Sequence, residues 1–160
     1  MSAPLLVIAV GNRSRGDDAL GPLLLEALRD EPGAEVELLE DFQLQVEHAL
    51  DLLGRRAVLF VDASHAPVAG GAALVPLAPQ RGHPPASHRL APAAVLGVFE
   101  QLQHGAPPPA WLLAIEGQAF GLGEGLSAPA AQHLARAIGL ARAWIADDAG
   151  RPRQAEFTRA

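Results

Sequence analysis

Leu5–Val10 is an unbroken apolar run, and shorter runs of the same kind recur at Ala57–Val61 and Trp111–Ile115. Uninterrupted apolar runs of strand length belong to sheets covered on both faces, because neither side chain direction meets water. Between them the period changes. Residues Ala19–Arg29 put Leu20, Leu23, Leu24, Ala27 and Leu28 on one helical face, and Pro22 fits there only near the helix start. Glu35–Leu39 alternates acidic and apolar residues, the pattern of a half-exposed strand, while Val46–Leu53 has helical spacing and stops at Gly54. Residues 66–77 contain Pro67, Gly70 and Gly71, then Ala73–Leu77 with Pro76, which predicts a hairpin or an edge strand closed by proline.

The proline-rich stretch 78–87 reads as a loop and is expected to be the most mobile part of the chain. Pro92 then opens a helix carrying Val95, Val98, Phe99 and Leu102, which ends before Gly105. Ser127 is a good N-cap for a long last helix with Leu134, Ile138, Ala141 and Ile145 at core spacing. The resulting order predicts an α/β fold: a single three-layer domain over residues 1–148, with a mostly parallel twisted sheet of about five strands and helices on both faces. Residues 149–160 have no apolar pattern and are expected to form a frayed tail.

Composition narrows the chemistry. With 160 residues and 49% hydrophobic content, one well-buried core is enough for the whole chain. There is no cysteine, which excludes disulfides, zinc–thiolate sites and a cysteine nucleophile. Every basic side chain is arginine, so a phosphate-loop lysine and a Schiff-base lysine are excluded as well. A net charge of -6 with scattered arginines and no tyrosine argues against nucleic acid as a partner. No apolar run approaches the roughly 20 residues needed to span a bilayer, and no basic segment precedes the first strand. A soluble, cytoplasmic protein without a membrane partner is the expectation.

The candidate chemistry lies where the first strand turns into the first helix. There Gly11-Asn12-Arg13-Ser14-Arg15-Gly16-Asp17-Asp18 brings two adjacent carboxylates to the carboxyl end of a strand, the edge at which open parallel sheets hold their ligands. A further acid, Asp62, follows the strand Val58–Val61, and Ser87-His88 precedes the helix at Pro92. Asp18, Asp62 and His88 together make a plausible metal site with open positions. Asp18 is also well placed to cap its helix, whereas Asp17 reads as a cap or as a residue that holds the loop by backbone hydrogen bonds. Glu116, at the end of another strand, has three readings: it orients Asp62, lines a groove, or makes a structural hydrogen bond. His65 either supports Asp62 or is an exposed loop histidine, and His48, His83, His104 and His133 are expected to be solvated. Arg13 and Arg15 are read as solvated, with contact to a partner's carboxylates as the alternative. None of Ser14, Ser64, Ser87 and Ser127 lies in a nucleophile-elbow sequence, so peptide cleavage would need a metal-polarised carbonyl or an activated water, with Asp62 or Asp18 as the base.

With these residues in place, the chain resembles the nickel-iron hydrogenase maturation proteases, endopeptidases that trim the C-terminus of a hydrogenase large subunit after nickel insertion. The resemblance runs from Leu5 to about Trp144 and rests on Gly11, Asn12, Asp17, Asp18 and Gly21, on Asp62, and on His88 in Ser87-His88-Arg89-Leu90. Segments 43–50 and 116–121 look most like the members that serve NAD-reducing, bidirectional hydrogenases. The resemblance implies that Asp18, Asp62 and His88 bind nickel, with Asp18 and Asp62 as the catalytic carboxylates. Many members carry glutamate at the position of Asp18. It also implies that the nickel is supplied by the hydrogenase large-subunit precursor and that no cofactor is tightly bound to the protein alone, which is expected to be a monomer. The alternative function is a non-cleaving checkpoint or chaperone that reads the nickel and holds the precursor. A nucleotide-binding domain is disfavoured, because the glycines do not form Gly-x-Gly-x-x-Gly and Asp17-Asp18 would repel phosphate.

Overall fold

The computed structural model describes residues 3–31, 35–82, 90–103 and 105–149. A five-stranded sheet of order β2-β1-β3-β5-β4 runs through the middle. Its strands are β1 (Leu5–Val10), β2 (Val36–Asp41), β3 (Ala57–Ser64), β4 (Ala72–Leu77) and β5 (Ala110–Glu116). The first four positions of that order are parallel, and β4 alone is antiparallel, paired to β5 at the edge. Pro76 is tolerated there because the outer side of an edge strand has no ladder hydrogen bond to lose. The expected hairpin or edge strand is therefore an edge strand.

Three α-helices cover the sheet: α1 (Leu20–Arg29), α2 (Pro92–Gln103) and α3 (Ala128–Ala149). Alternation along the strands sorts the core into two halves. Leu5, Val7, Ala9, Leu59 and Val61 face α1 and α3, while Leu6, Ile8, Val10, Val58 and Phe60 face α2 and the segment 46–52. The three-layer α/β architecture read from the sequence is the one observed, and no helix among the described residues is long and apolar enough to cross a membrane. Apart from Ala149 at the end of α3, the expected tail lies outside the described residues.

Local differences have physical causes. In α1 the buried set is Leu20, Leu24, Leu25 and Leu28, with Leu23 and Ala27 only half-buried. On α3 the fully buried positions are Ala130, Ala137 and Ala141, joined by Trp144, and the larger Leu134, Ile138 and Ile145 flank them half-buried. Small residues let the helix axis approach the sheet, and Trp144 then reaches Trp111 of β5 edge-to-face at 6.1 Å. Segment Val46–Leu52 is a 3₁₀ helix rather than an α-helix. The helical spacing came from Val46, Leu50 and Leu53, yet these are exposed, and the segment is anchored by Ala49 and Leu52, three residues apart as a 3₁₀ turn requires.

Candidate active site

Two neighbouring strands set the position of the site. From β1 the chain turns through α1 to β2 on one side, and from β2 it crosses back to β3 on the other, so the connections part above β1 and β3. Ligand crevices in open α/β sheets lie at such a point. Helix α1 starts directly above it. A side chain at Gly21 would sit 2.7 Å from the Val10 carbonyl oxygen and 3.2 Å from that of Val61, so only glycine lets α1 close over β1 and β3 at this point. Gly11 is constrained in the same way: a Cβ there would meet the Asp18 carbonyl oxygen at 2.0 Å.

Asp17 and Asp18 leave this turn in different directions. Asp17 is fully buried and accepts hydrogen bonds from the backbone N–H groups of Gln118 (2.7 Å), Ala119 (3.0 Å) and Ser127 (2.8 Å) and from the Ser127 hydroxyl (2.7 Å). Its own N–H donates to the Ala119 carbonyl at 2.7 Å. Burial pushes the carboxyl pKa up, but the bonds from Ala119, Gln118 and Ser127 outweigh it and hold the group below the ordinary carboxylate range. Of the two readings offered by the sequence, Asp17 is the loop-holding one, and the helix it secures at its N-terminus is α3, whose N-cap Ser127 also accepts the Ala130 N–H at 3.3 Å.

Asp18 caps nothing: neither the 3₁₀ turn Gly16–Ala19 nor α1 has a side-chain cap bond. One of its oxygens accepts the Asn12 N–H at 2.8 Å. The carboxylate lines an open cleft of about 390 Å³ together with Asn12, Arg15, Phe42, Gln43, His65 and Phe120. Such a volume lies within the range of ligand-binding clefts.

Asp62 lies within β3, which runs on to Ser64, three residues beyond the end expected from its apolar run. Because Ala9 pairs with Val61, Asp62 stands beside the last residue of β1, and it pairs with Ala114 of β5 on its other side. Alternation puts it on the Phe60 face, the face covered by α2. Asp18 and Asp62 therefore share one sheet edge, although Asp62 is not among the residues lining the cleft. His88 lies outside the described residues, ahead of α2, and the described residues alone contain no cluster of three metal-binding side chains.

The remaining candidates take up separate duties. Glu116 makes the structural bond, accepting the Val68 N–H at 2.7 Å. His65 is exposed, and it stacks on Phe120 with ring centroids 3.8 Å apart and planes 16° apart, forming one wall of the cleft. Two histidines expected to be solvated are not. His48 is 8% exposed, with Nδ1 accepting the Gln45 N–H at 2.9 Å and Nε2 3.3 Å from Asp41. His133 is half-buried with Nδ1 2.8 Å from the Glu116 carbonyl oxygen. Both fill backbone hydrogen-bonding needs at loop ends, a demand that side-chain spacing does not reveal. His83 and His104 lie outside the described residues. Arg13 pairs with Glu26 and Glu40 and is taken up internally, whereas Arg15 stays in the cleft wall.

The cleft walls Phe42 and Phe120 are not among the residues that the sequence pattern singles out. Phe42 follows the end of β2 and is 69% exposed, a consequence of the fold that residue spacing alone does not carry.

No family model and no curated protein sequence matches the chain. Solved structures do. The hydrogenase maturating endopeptidase HybD from Escherichia coli superposes with a TM-score of 0.71 at 20% identity, covering 92% of this chain and 94% of that one. A [NiFe] hydrogenase maturation protease HycI from Thermococcus kodakarensis gives 0.64 at 21% identity, covering 87% and 90%. An endopeptidase from Escherichia coli determined in solution gives 0.70 at 21% identity, covering 94% of each chain. The chain has the fold of the hydrogenase maturation endopeptidases. Within that fold the β1–α1 turn, with Asp17 turned inward and Asp18 turned to the cleft, is the part of this chain richest in chemistry.

Proposed function

We propose that the chain is an endopeptidase that removes the C-terminal extension of a nickel-iron hydrogenase large-subunit precursor after nickel insertion. One observation carries the reading: on a fold shared with such endopeptidases, Asp18 stands in the wall of an open cleft at the sheet edge it shares with Asp62. Nickel arrives as part of the substrate. Two carboxylates and, from His88, one imidazole form a nitrogen and oxygen donor set of the kind that suits divalent nickel, and three ligands leave positions for those of the precursor. Bound nickel would supply Lewis-acid polarisation of a nearby carbonyl.

The chain's own residues do the rest. The Asn12 N–H fixes one Asp18 oxygen, so the carboxylate is oriented before substrate arrives and loses little freedom on binding. Hydrolysis adds water across the peptide bond: oxygen attacks the carbonyl carbon, one proton passes to a carboxylate, and the departing amine takes up a proton. Asp18 and Asp62 are the carboxylates available for that transfer. Asp17 is set aside as a base because it is fully buried, is not part of the cleft lining, and has both oxygens engaged by loop and α3 N-cap donors.

Incubation with nickel-loaded and nickel-free precursor, followed by mass spectrometry, tests the reading. The expected result is a shortened large subunit from the loaded precursor only. Equal trimming of both forms, or digestion of casein, would overturn it. A stable complex with no loss of mass would establish the non-cleaving checkpoint instead.

A further inference from the structure

We propose that Arg15 is a specificity residue that binds a carboxylate of the peptide segment being processed, next to an apolar residue seated against the His65–Phe120 stack. The proposal rests on the endopeptidase reading and names the substrate group that the cleft grips. Arg15 is exposed in the cleft wall and makes no ion pair or side-chain hydrogen bond among the described residues. Every other described arginine is engaged. Arg13 and Arg29 meet Glu40, Arg55 meets Glu37, Arg81 meets Glu100, Arg142 meets Glu31, and Arg136 donates to the Ala72 carbonyl, while Arg56 also has a partner. The arginine left over is the one that lines the same cleft as the candidate catalytic Asp18.

Its backbone is fixed on both sides. The Arg15 N–H donates to the Asn12 carbonyl at 3.1 Å, and its own carbonyl accepts the Asp18 N–H at 3.0 Å. The side chain therefore springs from a closed turn, and the same turn sets its position relative to Asp18. A substrate bringing its own carboxylate close to Asp18 meets like-charge repulsion, which a cation on the same wall offsets. The planar fork of arginine matches a carboxylate with two parallel hydrogen bonds, which lysine cannot reproduce. Beyond it, Phe120 under the His65 ring and the exposed Phe42 offer apolar surface. The cleft thus combines one anion-binding point with one apolar seat, a pattern that fits an extended segment holding an acidic group close to an apolar residue.

Processing kinetics on nickel-loaded precursor test this. Arg15→Gln is expected to raise KM roughly tenfold, the scale of one charge-assisted hydrogen bond, with kcat and melting temperature unchanged. Arg15→Lys should recover part of the loss. The carboxylate has two sources, an acidic side chain of the extension or its terminal carboxylate. Neutralising the acidic side chains tests the first, and displacing the terminus with a glycine tail tests the second. One of these substrate changes should raise KM for the wild-type enzyme and have no effect on Arg15→Gln. If the wild type trims nothing, the endopeptidase reading falls. If the wild type trims and Arg15→Gln has an unchanged KM, or if neither substrate change affects the wild type, the Arg15 proposal falls while the endopeptidase reading stands.

Discussion

Asp17 and Asp18 are adjacent in sequence and opposite in duty. Asp17 is enclosed and accepts four hydrogen bonds from residues more than 100 positions away, while Asp18 faces an open cleft with one backbone donor from its own turn. The pair teaches how a mobile kind of element, a loop, carries a well-positioned reactive group. One carboxylate is committed to fastening the loop to the segment that follows β5 and to the start of α3, and its neighbour inherits that rigidity with its charge still available to a ligand.

The comparison breaks most visibly at Asp17. Asp17→Ala leaves three partly buried backbone N–H groups and a hydroxyl without their charged acceptor, so stability should fall by about 3 kcal/mol, the upper scale of losing hydrogen bonds to a charged group. Urea denaturation measures it as a lower midpoint with an unchanged slope. A loss under about 1 kcal/mol would mean that the clamp is not what holds the loop.

Asp18→Asn reverses the balance. The amide oxygen still accepts the Asn12 N–H, so stability should change by no more than about 1 kcal/mol, whereas processing should fall by about a hundredfold or more if Asp18 is a base or a ligand. Asp18→Glu keeps the charge and should retain measurable activity. Normal processing by Asp18→Asn would transfer the chemistry to Asp62 and His88.

Acid titration separates Asp17 from the surface ion pairs. Its pKa is depressed in the fold, so its stabilisation is fully present above the unfolded carboxylate value of about 4 and disappears as pH drops through the lower folded value. The urea midpoint should therefore be steady from neutral pH to about 5 and fall below about 4. Glu40 is also depressed, first by its hydrogen bond from Arg13, and it contributes with the same sign. Added salt should weaken the Glu40 part, which is solvent-accessible, and leave the buried Asp17 part. Asp17→Ala should flatten most of the acid limb, and an undiminished limb would assign it to other groups.

The same contrast explains which parts of the molecule the sequence disclosed. Strands buried on both faces impose a continuous apolar pattern, so β1, β3 and β5 were legible, whereas the pairing of β3 beyond Val61, which places Asp62 inside the strand, left no apolar trace. Asp17 was legible only as two alternatives, because its partners at 118, 119 and 127 are backbone groups without a residue signature. Segment 46–52 departs from its sequence pattern for a related reason: its exposed Val46, Leu50 and Leu53 mimic the inner face of an α-helix. Besides Ala49 and Leu52, the buried His48 orders that segment, and an imidazole does not register in a hydrophobic pattern.

His48 also gives the smallest and most specific test, since it links the cleft wall to the core. Its Nδ1 accepts the Gln45 N–H while its own N–H donates to the Gln45 carbonyl at 3.0 Å, a reciprocal pair that closes the turn following Phe42 and Gln43. With Nδ1 as acceptor, the ring proton lies on Nε2 and points to Asp41. His48→Ala removes the acceptor and should cost about 1 kcal/mol, the usual scale of a helix N-terminal bond. His48→Gln should restore most of it, because glutamine at the third residue of a helix reaches back to the same N–H. Neither change touches Asp18 or the Asp17 clamp, so kcat should hold while KM rises a few-fold in His48→Ala and returns toward wild type in His48→Gln. A KM that ignores both variants would detach the Phe42 wall from substrate binding and leave the cleft defined by the β1–α1 turn and the His65–Phe120 stack.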